Sequence, residues 1–290
     1  MHAWAFGQAC NVPDQNGNYR FPNARVVALY GVDDTPEHIQ ITMEKGNIPY
    51  KASSLEELFE YCNAFMILQR RGGEHVAFAD EIVKRNLPVF IDKPVCCTLE
   101  DMERLQALAS DNHAFLCGGS GFKYNHQIRQ LKKEIEEGRL GPISHGTITY
   151  SADMDSAYDG IFFYLPHGVE VMLELFGYAW RSLSAQVHAH DQFEVEVEYP
   201  DLQVKLLMNG SKTCQVEIQG NDHLCTQIDA DDIFQENMRN FISGIEHGSI
   251  TKDVTQLVEH VRVILAVNAA MKTKQKINRN TDENAGHLAQ

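Results

Sequence analysis

Lys93 stands between an acid and a proline, Asp92-Lys93-Pro94, directly after the apolar run Val89-Phe90-Ile91. That run reads as a parallel strand covered on both faces. A strand ending this way carries a cation to the carboxyl edge of an α/β sheet, which is where such sheets bind ligands. Pro94 removes a backbone donor and biases Lys93 toward an extended backbone, so the amine has a set direction. A lone Asp-Lys-Pro would more often be a surface loop. Here the preceding helix, with Val76, Ala79, Ile82 and Val83 on one face and Glu81, Lys84 and Arg85 on the other, makes a functional lysine the better reading.

From 75 to 94 the chain therefore runs histidine, helix, strand, acid-lysine-proline, and similar order continues through 98–110, 121–143 and 167–177. In these motifs it resembles the glucose–fructose oxidoreductase / inositol dehydrogenase / MocA-type family, with Asp92 where that family usually has Glu. The resemblance covers most of the chain, from His2 to about Lys276. It implies a soluble NAD(P)-dependent oxidoreductase acting on a sugar, cyclitol or related polyhydroxy compound. Such hydride transfer needs a group that moves the hydroxyl proton and donors that polarise the forming carbonyl. The resemblance assigns Lys93 to the substrate hydroxyl and matches His167 to the family's histidine in the substrate domain. Both are expected to contact one substrate, within about 10 Å of each other. The family often has an Asp four residues before that histidine; here the residue is Phe163, with Tyr158 and Asp159 slightly earlier. Tyr124 and Lys123 fall where the family places a side chain against substrate. His75 is expected to serve as a helix-start residue.

The elements that must position these groups follow from the pattern. Strands at 26–30, 65–68, 89–91 and 115–117 alternate with helices near 36–45, 55–61, 75–85 and 99–109, the mark of a parallel sheet with helices on both faces. Gly118-Gly119-Ser120-Gly121 is a permissive hinge. Beyond it a helix over 125–137 gives way to period-two alternation: Phe193, Val195, Val197 and Tyr199 face one way, Glu194, Glu196 and Glu198 the other. Strands at 145–150, 204–208 and 213–218 join it, and helices near 233–246 and 254–272 are expected to close this half. The fold class is thus α/β: a Rossmann-like domain over 1–120, then an α+β domain with a mostly antiparallel open sheet over 121–277, and a polar tail over 278–290.

A Rossmann domain opens with a strand and a Gly-x-Gly-x-x-Gly turn whose amides and following helix receive the pyrophosphate. This chain opens on a segment that already reads as that helix. The strand concerned lies mid-sheet in the order 3-2-1-4-5-6, and its loss exposes two interior edges. The recorded start is therefore read as an internal methionine, the alternative being a diverged protein that lost the cofactor. For NAD, Asp33 is the candidate for the ribose hydroxyls, with Asp34 beside it; Asp92, Lys93 and Arg70 complete the cofactor set. After Tyr30 the next basic residue is Lys45, so NAD is favoured and NADP remains possible.

With 25 Lys plus Arg against 40 Asp plus Glu, the net charge is −15. That argues against nucleic acid or an anionic membrane as partner. No apolar run approaches the roughly 20 residues of a membrane span. Seven cysteines without a Cys-x-x-Cys pair fit a reduced, cytoplasmic protein. His188, His190 and Asp191 raise a metal question because alternate strand residues share a face, but two ligands in a β segment with no third in sequence reach are weak evidence, and no metal is expected. The family resemblance implies a homodimer or higher homo-oligomer built on the second sheet, with the glutamate face as an objection. The rival to the enzyme is a non-catalytic ligand-binding or interaction protein of the same fold.

Overall fold

The computed structural model describes residues 2–32, 34–111, 115–247 and 251–279. The first half comprises α1 (His2–Asn11), β1 (Ala28–Tyr30), α2 (Pro36–Gly46), β2 (Tyr50–Ala52), α3 (Leu55–Tyr61), β3 (Phe65–Ile67), α4 (His75–Val83), β4 (Val89–Asp92), α5 (Leu99–Asp111) and β5 (Leu116–Gly119). Caps punctuate it as the residue types require. Thr35 and Ser54 accept backbone amides from His38 and Glu57, and Pro36 occupies the first turn of α2. Asn86, which ends the expected helix, adopts a left-handed φ of 57°.

The parallel strands fall into two sheets. β1 pairs with β2, and β4 lies between β3 and β5. Between the two sheets is a cavity of about 1390 Å³, lined along one side by Ala28, Leu29 and Tyr30 and along the other by Phe65, Met66 and Ile67. Apolar side chains line part of it, Phe6 and Cys10 of α1, Leu58 of α3, and Phe78 and Ile82 of α4, with Asp34, Thr35, Gln69 and Arg70 among the polar ones. Among the described residues, β1 and β3 each have a strand partner on one edge only. These two singly paired strands border the cavity.

After β5 come α6 (His126–Glu136), β6 (His145–Tyr150), α7 (Leu165–Phe176), β7 (Ser182–Ala189), β8 (Gln192–Glu198), β9 (Gln203–Met208), β10 (Cys214–Gln219), β11 (His223–Ile228), α8 (Ile233–His247), α9 (Thr251–Thr273) and β12 (Ile277–Asn278). Seven of these strands form one sheet in the order β11-β10-β6-β9-β8-β7-β12. Its pairs are antiparallel except β6 with β9. Phe193, Val195 and Val197 are buried, as the alternation requires. On the outer face Lys205 sits 3.4 Å from Glu194 and 3.2 Å from Glu196, so part of the glutamate charge is countered within the sheet.

α8 does not close this second sheet. Phe241 packs against Phe90 and Phe115, with ring centroids 6.0 and 6.1 Å apart, so α8 covers a face of the first sheet. Its apolar stripe is complementary to either sheet, and a stripe alone does not say which it covers. Asn278, read as the start of a polar tail, pairs with Ser182 on β7.

The edge amides define a test. Hydrogen exchange should be many times faster for the β1 and β3 amides directed at the cavity than for the amides of β4, which is paired on both sides. Equal protection across β1, β3 and β4, measured by NMR or mass spectrometry, would contradict an open gap.

Candidate active site

β4 ends at Asp92, and Lys93 follows with a cis bond to Pro94. Lys93 is buried; its Nζ donates to the Phe163 carbonyl at 3.0 Å and lies 3.8 Å from the Phe163 ring centroid. Burial pushes its pKa down to about 8, the nearby Arg70 charge acts in the same direction, and Asp92 opposes both. Asp92 is also buried. Desolvation alone would raise its pKa, but the His2 ring bonded to it, together with Lys93, holds it below the usual carboxylate range. His2 lies in the first turn of α1, so that helix starts at the carboxyl edge of β4.

His167 enters from the other half, in the first turn of α7 with Pro166 before it. Its ring is enclosed by Phe122 and Tyr150, each with centroids 5.3 Å away, and by Tyr164 at 6.4 Å. Tyr164 also lies 5.7 Å from the Lys93 amine, so one aromatic ring neighbours both groups. Burial, then the charges of Lys93 and His2, push the His167 pKa well below the ordinary imidazole value. Its Nδ1 is 2.7 Å from the Ser120 hydroxyl.

Ser120 belongs to the hinge, and the hinge is held by a buried charge pair that the sequence did not reveal. Glu170, on the same helix as His167, accepts the Ser120 amide at 2.7 Å and lies 2.9 Å from the Lys123 amine. Lys123 also donates to the Gly118 carbonyl at 2.7 Å. Burial disfavours its charge, but Glu170 outweighs that and raises its pKa. The backbone passes so close that a Cβ on Gly119, whose φ is 85°, would meet Glu170 Oε1 at 2.2 Å. His260 of α9, its pKa pushed down to about 4 by burial, approaches the same carboxylate oxygen at 3.1 Å.

The remaining candidates are placed differently. Lys123 turns into this pair, and Tyr124 points to α8, accepting a hydrogen bond from Asn240 Nδ2 at 3.0 Å. Arg70, exposed after β3, donates to the Tyr158 hydroxyl at 2.5 Å. Asp159 faces the Gly73 amide and the Cys97 thiol, at 3.5 and 3.6 Å, so the loop before α7 is stitched across to the first half. His75 is fully buried at the start of α4 and bonds the Gln69 carbonyl. Asp33 lies outside the described residues; Asp34 pairs with His38.

A split parallel sheet, a lysine at its carboxyl edge and a second open sheet define a two-part α/β architecture. Residues 9–119 match the model of the Gfo/Idh/MocA oxidoreductase family, described by its NAD-binding Rossmann fold. Among solved structures the chain is similar to scyllo-inositol dehydrogenase from Lactobacillus casei with bound NAD(H) and scyllo-inositol, at 13% identity and a TM-score of 0.77, covering 97% of this chain and 95% of that one. It is also similar to an oxidoreductase from Agrobacterium radiobacter in complex with NAD+, L-tartaric acid and magnesium (13% identity, TM-score 0.76, 96% of each chain). A third is a dehydrogenase from Bordetella pertussis in complex with NADH and UDP-GlcNAcA (16%, TM-score 0.67, 88% of this chain and 90% of that one). These likenesses show the fold. Among curated proteins none matches.

Removing the hinge carboxylate should be costly. Glu170→Ala leaves Lys123 charged, buried and unpaired, and should destabilise the fold by about 3–5 kcal/mol. Denaturant titration measures this, and a loss under about 1 kcal/mol would show that solvent or another group satisfies the lysine.

Proposed function

We propose that the protein is an NAD(P)-dependent oxidoreductase that moves a hydride between nicotinamide and a sugar, cyclitol or related polyhydroxy substrate. The observation that carries this reading is a buried lysine with a pKa near neutrality at the carboxyl end of β4, facing the same aromatic ring as a neutral histidine on the opposite domain. The polyhydroxy class rests on the family and on ligands such as the scyllo-inositol bound by the Lactobacillus casei enzyme.

The cofactor's fit can be judged from the residues present. Gly31 and Asp34 after β1, and Gln69, Arg70 and Arg71 after β3, line the cavity; Asp92, Lys93 and the first turn of α1 meet at the end of β4. This donor set suits a dinucleotide laid across the sheet edge, with Asp33 or Asp34 at the ribose, Arg70 near the phosphates and Lys93 beside the nicotinamide. No basic residue between Tyr30 and Lys45 favours a 2′-phosphate, so NAD is the better fit, with NADP the alternative. Bound nicotinamide supplies the hydride acceptor. Lys93, as a neutral amine, takes the proton of the substrate hydroxyl, and its release from the Phe163 carbonyl is the first change that substrate must induce. His167 contacts the same oxygen, and the ring of Phe163 excludes water on one side of the amine. In alcohol oxidation the rate should rise with pH as Lys93 deprotonates, levelling above about 8.

The split sheet favours the rival reading, a non-catalytic protein of the same fold. One experiment separates them. A saturable NAD-induced rise in melting temperature, with turnover on polyhydroxy compounds, supports the enzyme. In that enzyme Lys93→Met should lower turnover by about 10²–10⁴-fold while leaving the NAD-induced shift in place. Near-normal turnover in the variant would remove the catalytic role. Absence of both NAD binding and turnover would favour the rival.

We further propose a homodimer formed through the outer face of the seven-stranded sheet. The Lys205 pairs reduce the repulsion that Glu194 and Glu196 would otherwise meet at a two-fold axis. A strictly monomeric mass by light scattering would dismiss it.

A further inference from the structure

The Ser120–His167 contact decides which of two chemical roles the histidine has. Ser120 is 1% exposed. Its backbone amide is taken by Glu170 Oε1 at 2.7 Å, and its hydroxyl oxygen accepts the Phe122 amide at 3.3 Å. A hydroxyl has one proton to give and two acceptor positions. Among the described residues the only acceptor recorded for that proton is His167 Nδ1, at 2.7 Å. Were Nδ1 protonated instead, it would donate to a hydroxyl oxygen already accepting from Phe122, and the serine proton would be buried without a partner.

We propose that Ser120 is a positioning residue that holds His167 as the Nε2–H tautomer, so that the histidine presents a neutral N–H donor to the substrate oxygen. Nε2 makes no hydrogen bond among the described residues. The groups that surround the ring favour a neutral imidazole. The Lys93 and His2 charges repel a proton there, His260 is itself neutral, and the Glu170 carboxylate is engaged by Lys123 and the Ser120 amide. This rests on the oxidoreductase reading and sharpens it. Lys93 alone moves the hydroxyl proton, and His167 polarises the carbon–oxygen bond through a hydrogen bond that strengthens as the carbonyl forms in the reverse direction. The replacement of an acid by Phe163 four residues before His167 is consistent with this division, because no carboxylate among the described residues is hydrogen-bonded to the imidazole to raise its basicity.

The test reads the proton directly. Long-range nitrogen–proton NMR of protein labelled with 15N-histidine, the His167 signals assigned by their loss in His167→Gln, should show a protonated Nε2 and an unprotonated Nδ1, unchanged between about pH 6 and 8. A protonated Nδ1, or an imidazolium, in the wild-type protein overturns the proposal whether or not any variant folds. In Ser120→Ala the fixed pattern should give way to a mixture of the two tautomers, and Ser120→Thr should restore it; circular dichroism checks folding of each. An unchanged His167 spectrum in a folded Ser120→Ala protein also overturns it. Because none of these spectra requires turnover, a protein that lacks oxidoreductase activity would defeat the proposed function and leave the tautomer result readable.

Discussion

The buried ion pair between Lys123 and Glu170 is the constraint on which the candidate site depends. Two charges taken out of water are stable only when each compensates the other and the remaining bonding positions are filled. Here Lys123 lies 2.9 Å from Glu170 and donates to the Gly118 carbonyl, and Glu170 accepts the Ser120 amide. The pair joins the exit of the first sheet to the helix that carries His167, so the distance between the lysine edge and the histidine is set by electrostatics at the hinge. Gly119 permits this because its position admits no side chain beside the carboxylate.

The aromatic lining follows from the same arrangement. With the hinge held against α7, Phe122, Tyr150, Tyr164 and Phe163 converge around Lys93 and His167. Their rings replace water as the neighbours of both groups, which is why each titrates below its ordinary value. A buried carboxylate beside the lysine, Asp92, keeps the depression moderate, whereas the histidine has no such partner.

Much of this was legible in the residues. The three-residue apolar run before Asp92 marked β4, and all four positions of Val89–Asp92 are buried. The alternation from Phe193 onward marked β8 and its buried face. β2 (Tyr50–Ala52) escaped notice because three residues are too few to show a period, and β7 because the outer half of Ser182–Ala189 is exposed on both faces, so no buried face alternates there. The pairing of Ser120 and Glu170 spans 50 residues, and local sequence does not encode which distant carboxylate a buried amide will meet. The same is true of His2 and Asp92, which lie 90 positions apart. Lys123 illustrates the general difficulty: a basic residue in a glycine-rich stretch suggests a ligand contact, and only the third dimension shows that the ligand is the protein's own glutamate.

α1 also has a mechanical meaning. On one side Gly7 packs against the backbone of Gly46, where a Cβ would meet the carbonyl oxygen at 2.6 Å, and Asn11 bonds the carbonyls of Val26 and Asn47. On the other side Phe6 meets Phe90 of β4 edge-on, with centroids 5.6 Å apart. This ten-residue helix thus bridges the β1–β2 lobe to the rest of the domain, and α3 makes a second bridge, its Phe59 ring 5.1 Å from that of Phe65 on β3. Cooperativity in a domain is carried by its shared contacts. The lobe made of α2, α3 and this pair of strands is therefore coupled to the β3–β5 sheet through side-chain packing by two helices, and loosening either helix would weaken that coupling.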